Sequence, residues 1–273
     1  MFTETAEIDD RRFNRLYNAT RPRPKGTNCF QLVDEWGLKR TSLRVLLADI
    51  PQLEVVFQKR WTAPCPDSPR ITFEDRVPAA RLGIACEAAA NCLYAMANVA
   101  ALFSNRVSDG RFPSSFNKLV KRLEKGEDGL QALGEGIADL QWYRKIREIR
   151  TEWTHYSSPF IGGRGAEAPF IMVRSYRRRS DLVEFSEDRV CTVTELISWL
   201  ASALRSLDNF AERLAVEHVI PKLDLGAEVV APVYDARGLP FIEQDGRFRI
   251  RQATIGELLT ETGVLPIDDK QNR

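Results

Sequence analysis

Between Cys29 and Arg60 the apolar residues Phe30, Val33, Leu43, Leu46, Leu47, Leu53 and Phe57 recur at mixed three- and four-residue steps, the spacing of a helix face. Gly37 and Pro51 interrupt the run, so it predicts two short helices or a kinked one. Trp61 to Pro69 holds three prolines and predicts a loop. A long alanine-rich helix is expected from about Pro78 to Val107, with Ser108-Asp109-Gly110 ending it. Ser114 or Ser115 then caps a short helix that carries Phe116, Leu119, Val120 and Leu123 and stops at Gly126. After Asp128 a further helical pattern runs through Leu130, Leu133, Ile137, Leu140, Ile146 and Ile149, weakened in its middle by Gly134 and Gly136.

The pattern changes period after Ser157. Ser157 to Pro169, with three glycines and two prolines, predicts a loop. Phe170–Tyr176 and Leu182–Phe185 predict two strands around the turn Arg177-Arg-Arg-Ser-Asp181. A third long helix begins with Thr192 or Thr194 as cap and Glu195 in its first turn. It shows Leu196, Ile197, Leu200, Leu204, Leu207, Phe210, Leu214 and Val219 on one face and stops at Pro221. Beyond Lys222, Val229-Val230 and Phe248–Ile250 predict strands, and Thr254 to Thr260 a short helix. The fold class expected is mainly α: a helical bundle over 29–221, a small β-hairpin insertion, and a short β-containing extension over 222–273. Residues 1–28, with Arg21-Pro-Arg-Pro-Lys25, form an N-terminal arm, read as solvated with a nucleic-acid contact as the alternative.

Composition changes this picture little. Hydrophobic residues make up 44% and charged residues 28%, which is the balance of an ordinary globular chain. The net charge of +1 supplies no global field toward nucleic acid, so any such binding must use a local patch. Five cysteines, odd in number and without a C-x-x-C pair, read as reduced thiols; with no secretory signal at Met1-Phe-Thr-Glu, a cytoplasmic location is expected. No metal and no cofactor is expected, since neither histidine stands near a cysteine. Ile84–Phe103 is about long enough to span a bilayer. It contains Glu87, Asn91, Asn98 and many alanines, so it reads as a buried bundle helix, and no membrane is expected as a partner.

The chemistry concentrates in Trp142–Tyr156, where Arg150 precedes His155 by five positions. Histidine moves protons near neutral pH, and Arg144, Lys145, Arg147 and Arg150 surround this copy with positive charge. Spacing alone is cheap: Arg213 precedes His218 at the same interval. The His218 copy lies in the last turn before Pro221, where the helix dipole favours a cation, and Glu212 and Glu217 would repel phosphate. The His155 segment instead interleaves its cations with Trp142, Tyr143, Trp153 and Tyr156, aromatic rings suited to stacking on bases. Residues five apart on a regular helix differ by about 140°, so Arg147, Thr151 and His155 share a face that Arg150 does not. Convergence of Arg150 and His155 needs a loosened helix end or residues from two subunits. The basic residues Arg177–Arg179 read as a solvated turn with an RNA backbone contact as the alternative, and Arg247, Arg249 and Arg251 share one strand face. No P-loop, G-x-G-x-x-G, G-x-S-x-G or H-E-x-x-H is present.

The stretch Tyr143–Tyr156, with Arg150 and His155 on its two fixed positions, resembles the signature of the HEPN superfamily over residues of about 75–220. The resemblance implies a metal-independent endoribonuclease acting as a symmetric dimer, often with an antitoxin or regulatory partner, in a toxin or antiphage setting. Thr151 stands where the family commonly has Asn, Asp or His, and Tyr156 follows His155 directly rather than two positions on. On this reading His155 is general base or acid, Arg150 clamps the phosphate, and Arg144, Arg147, Thr151, Trp153 and Tyr156 bind single-stranded RNA, giving a 2′,3′-cyclic phosphate. The competing expectation is a non-catalytic helical dimer, a scaffold or an RNA- or protein-binding regulatory subunit, with Arg150 and His155 paired to Glu148 or Glu152.

Overall fold

The computed structural model describes residues 29–61, 73–126, 141–155, 160–162, 169–179, 182–233 and 241–261. The N-terminal arm, the Pro-rich loop over 62–72 and the pattern from Leu130 to Leu140 lie outside the described residues.

Within them the chain is mainly helical, as the periodicity predicts, with two small antiparallel sheets. The helices are α1 (Cys29–Trp61), α2 (Phe73–Val107), α3 (Phe116–Glu124), α4 (Gln141–His155), α5 (Val193–Leu214) and α6 (Ile255–Glu261). The strands are β1 (Phe160–Gly162), β2 (Phe170–Arg179), β3 (Leu182–Thr192), β4 (Glu228–Pro232) and β5 (Ile250–Thr254). They fall into two compact units that do not follow chain order. One gathers the described parts of 1–37, 98–138 and 206–273, the other those of 38–97 and 139–205.

Of the two alternatives for the first helical run, the structure takes the single helix: α1 has 33 residues and runs through Gly37 and Pro51. The expected start of the second helix is corrected. α2 begins five residues before Pro78 and keeps that proline inside it. An interior proline costs about 3 kcal/mol of helix stability. Burial outweighs that cost: Leu43, Leu47, Ile50 and Phe57 lie in the core around Pro51. Each large apolar side chain so buried contributes about 1.5–3 kcal/mol. α2 is also the one described helix long and apolar enough to cross a membrane, over Arg76–Val107. Its Leu82, Cys86, Ala89, Ala90, Leu93, Met96, Ala97, Ala100 and Phe103 are buried within the protein, the pattern of a core helix.

In the first unit α2 ends where the sequence places its stop. Asp109 and Gly110 take left-handed φ of 53° and 81°, and the Gly110 N–H reaches back to the Asn105 carbonyl at 2.8 Å. Lys222 Nζ donates to the Val107 carbonyl at 3.2 Å and pairs with Asp109 at 3.1 Å, fastening this turn to the chain end of the bundle. Trp36 Nε1 donates to Asp208 Oδ1 at 3.3 Å, joining α1 to α5 in the interior. α5 is continued by a π turn over Ala215–Val219 and a 3-10 turn over Ile220–Lys222, so the helical path ends beside the expected stop at Pro221. β4 and β5 then pair antiparallel, Val230 opposite Gln252 and Pro232 opposite Ile250. The chain ahead of β5 folds back on itself: Ile242 bridges Phe248, the Phe241 N–H reaches the Val233 carbonyl at 2.7 Å, and Gly246, at φ 82°, makes the turn. On the inner side of this sheet Ala231 and Ala253 are buried, and Val229 packs against Ile220, Ile255 and Leu259.

In the second unit β1, β2 and β3 form one antiparallel sheet in that order. Two expectations are corrected here. β1 lies inside the stretch expected to be loop, pairing Ile161 with Ile171 on β2. The hairpin is also longer, so Arg177, Arg178 and Arg179 occupy strand positions opposite Glu184, Val183 and Leu182, not the turn. At the base of the hairpin Ile161, Ile171 and Cys191 are buried in one rung across the three strands, and α4 packs against β2. Thr192 ends β3 and caps α5: its Oγ1 accepts from the Glu195 N–H at 3.1 Å, while the Glu195 carboxylate accepts from the Thr192 N–H. Thr254 and Glu257 repeat this arrangement between β5 and α6, at 2.8 and 3.1 Å.

Candidate functional site

α4 is sorted into faces by its own sequence. Trp142, Ile146, Ile149 and Trp153, at four-, three- and four-residue steps, are buried. Arg144, Lys145, Arg147 and Glu148 are exposed on the far side. Arg150 lies at the border, half-buried, one step around from Tyr143.

That border carries an aromatic and guanidinium cluster. The Arg150 guanidinium sits over the ring of Tyr94, from α2, at 4.4 Å from its centroid. Tyr94 in turn stacks on Tyr143, with centroids 5.9 Å apart and planes 11° apart. Trp142 meets Tyr143 edge to face at 5.8 Å. Burial, then the neighbouring Tyr94 phenol, pushes the Tyr143 hydroxyl well above its ordinary pKa, against the opposing pull of Arg147 and Arg150. Tyr143 therefore holds its proton more tightly than an ordinary tyrosine. A cation facing a ring is held electrostatically by the ring's quadrupole, so Tyr94 fixes where the Arg150 charge rests.

Of the residues singled out in the sequence, Arg144 and Arg147 stand exposed on α4. The Thr151 hydroxyl donates to the Arg147 carbonyl at 2.7 Å, so its proton is committed to the helix backbone. The expectation that Trp142, Tyr143 and Trp153 stack on bases is corrected. Trp153 is 5% exposed and the other two are equally buried, so their faces are taken up by the core. The signal was present in the spacing, because 142, 146, 149 and 153 form a helical core stripe. His155 is the last residue of α4, on the side of the helix marked by Arg144, Glu148 and Thr151; its side chain, like all of Tyr156, lies outside the described residues. Glu148 pairs with Lys145 at 4.0 Å, and the side chain of Glu152 lies outside the described residues. Tyr94 was missed altogether. Its only trace in the sequence is a tyrosine within an alanine-rich helix.

The second Arg/His pair looks different. His218 lies in the π turn that continues α5 and meets Phe112 edge to face at 5.7 Å. Its pKa is lowered, first by burial and then by Arg111 and Lys222, with Glu217 and Asp109 opposing. Burial here works against the helix-dipole effect expected at this position, which would favour the cation. Compared with known protein families, curated proteins and solved structures, the chain matches none of them.

Proposed function

We propose that this chain is a metal-independent endoribonuclease of HEPN type, cutting single-stranded RNA in a cytoplasmic setting, with a toxin or antiphage role. The observation that carries the reading is Arg150, half-buried on the Tyr94 ring and five positions before the histidine that ends the same helix. A guanidinium placed in this way keeps its fork of donors for a phosphate. Arg144 and Arg147 extend the same cationic helix toward flanking phosphates.

In this reading His155 takes the proton of the RNA 2′-hydroxyl. The 2′-oxygen attacks the phosphorus, the bond to the 5′-oxygen breaks, and that oxygen leaves as a hydroxyl by taking a proton from water. Arg150 stabilises the charge that builds on the phosphoryl oxygens. The product is a 2′,3′-cyclic phosphate. Because positions 150 and 155 are about 140° apart on a regular helix, the clamp and the base come from two subunits of a symmetric dimer. An antitoxin-like partner would cover the exposed face of α4.

The test is cleavage of single-stranded RNA in EDTA. His155→Ala and Arg150→Ala should each slow cleavage at least about 100-fold, while His218→Ala stays near wild type. Cleavage by His155→Ala at the wild-type rate, or none by any form, removes this reading. The burial of Trp142, Tyr143 and Trp153 favours a second one, a non-catalytic helical scaffold or regulatory subunit, which intact RNA with retained partner binding would support.

A further inference from the structure

The hairpin of β2 and β3 sorts its charges in a way that only the strand register reveals. β1 reaches no further along β2 than Met172, so from Val173 to Arg179 the hairpin is, among the described residues, a two-stranded ribbon. At its base Ile171 and Cys191 are a buried pair. The next pair is Met172 and Arg189, since the register shift passes over Val190. Successive residues of a strand alternate between faces, and residues directly opposite share one. The face opposite Ile171 therefore holds positions Arg174, Tyr176 and Arg178 of β2 with Phe185, Glu187 and Arg189 of β3. The other face holds Arg177 and Arg179 with Glu184 and Asp188, so its two arginines are matched by two acids. The first face has three arginines against one acid. There Tyr176 stands directly opposite Phe185, between Arg174 and Arg178.

We propose that this face is a docking platform for single-stranded RNA, with bases stacked on Tyr176 and Phe185 and phosphates held by Arg174, Arg178 and Arg189. Ring and charge chemistry together select that occupant. An aromatic pair flanked by cations suits a strand that has free base faces and a phosphate at every step. Positions two apart on a strand are about 7 Å from each other, so Arg174 and Arg178 flank a base on Tyr176 from both sides. A duplex keeps its bases stacked on one another and offers the rings no face. An acidic protein or an anionic membrane would engage the arginines alone. The chain as a whole has a net charge of +1, so the local excess on this face is what draws a polyanion to the ribbon.

The choice of RNA rests on the ribonuclease reading, but no residue of α4 takes part, so the two fail separately. Binding is measured by fluorescence anisotropy of the full chain with a labelled oligouridylate of about 12 nucleotides, inside the usual site size. Its 2′-oxygens are methylated, so it cannot be cut and the measurement does not depend on cleavage. Wild type is expected to bind with a Kd of about 10 µM or below at low salt. Tyr176→Val and Phe185→Val should each weaken binding about fivefold or more, while Tyr176→Phe, which keeps the ring, stays within about twofold. Arg178→Gln should lower the salt dependence by about one phosphate contact. Arg177→Gln, opposite Glu184 on the other face, should leave it unchanged. Circular dichroism melts identify a variant that fails to fold, and leucine then replaces valine at that site. Three results overturn the proposal: no binding by wild type, wild-type binding by folded ring variants at both positions, or a duplex of the same length held as tightly as the single strand. A chain that cuts no RNA yet binds through these rings removes the ribonuclease reading and supports this one.

Discussion

Arg150 and Tyr94 are 56 residues apart in the sequence, yet the guanidinium of one rests over the ring of the other at 4.4 Å. The contact ties α4 to α2 within one unit and places the charge on which any anion-binding role of α4 depends. A half-buried cation–π pair contributes about 0.5–1 kcal/mol. In a double-mutant cycle with Arg150→Met and Tyr94→Leu, urea denaturation should return a coupling of about that size. Additive single effects would show that the two groups are merely adjacent.

The two Thr-x-x-Glu junctions invite a matched experiment. Thr192 and Thr254 each accept the N–H of a glutamate three residues on, and each glutamate returns the bond. Thr192→Ala and Thr254→Ala should each cost about 1 kcal/mol in denaturation free energy. Replacement by serine, which keeps the acceptor, should cost less than half of that. Equal losses for alanine and serine would mean that the methyl group, not the cap, supplies the stability.

Acidification should weaken the fold through His218. Its folded pKa lies below the ordinary value of 6.5, with burial the largest cause. Between the two values the unfolded chain binds more protons than the folded one, so stability rises with pH. The contribution is present above about pH 6.5 and is lost as pH falls through the lower, folded value. The urea midpoint should therefore drop between pH 7.5 and 5.5, and His218→Phe should flatten the slope. A variant with the wild-type slope would exclude this residue as its source.

Cys86 and Cys191 should be inert toward thiol reagents in the native protein. Burial pushes both thiols up to about 12, with Cys191 adding to the effect at Cys86 and Glu195 at Cys191. The thiolate, which is the reactive form, is therefore scarce at pH 8. Mass mapping after brief iodoacetamide treatment should find both unmodified until denaturant is added, with half-buried Cys92 modified first of the three. Native labelling of Cys86 ahead of Cys92 would contradict the packing of α2. Above about pH 9 the same pair should destabilise the fold, since groups raised on folding lose their contribution as pH climbs toward the folded value.

These residues also show what local sequence can and cannot encode. The end of α2 at Ser108-Asp109-Gly110 and the start of α5 at Thr192-Val-Thr-Glu195 were legible because each uses side chains and φ angles within a few positions. The course of α1 through Pro51 was only one of two readings that the local sequence left open. A local penalty there is overruled by Leu47, Ile50 and Phe57, whose burial depends on distant parts of the chain. β1 was hidden for a similar reason: three residues become a strand only because Ile171 is there to pair with Ile161. At the candidate site the cationic side of α4 was readable from its spacing. The aromatic residues misled, since tryptophans at core spacing look the same on paper as tryptophans offered to a ligand. Tyr94 left no sign because its partner lies on another helix.

At two places the last residue of a strand is also the residue that starts the next helix, Thr192 and Thr254. Neither joint contains slack. One inserted amino acid would rotate the helix by about 100° against its strand while breaking the cap, so these joints should reject even single-residue insertions that surface turns elsewhere in the chain accommodate.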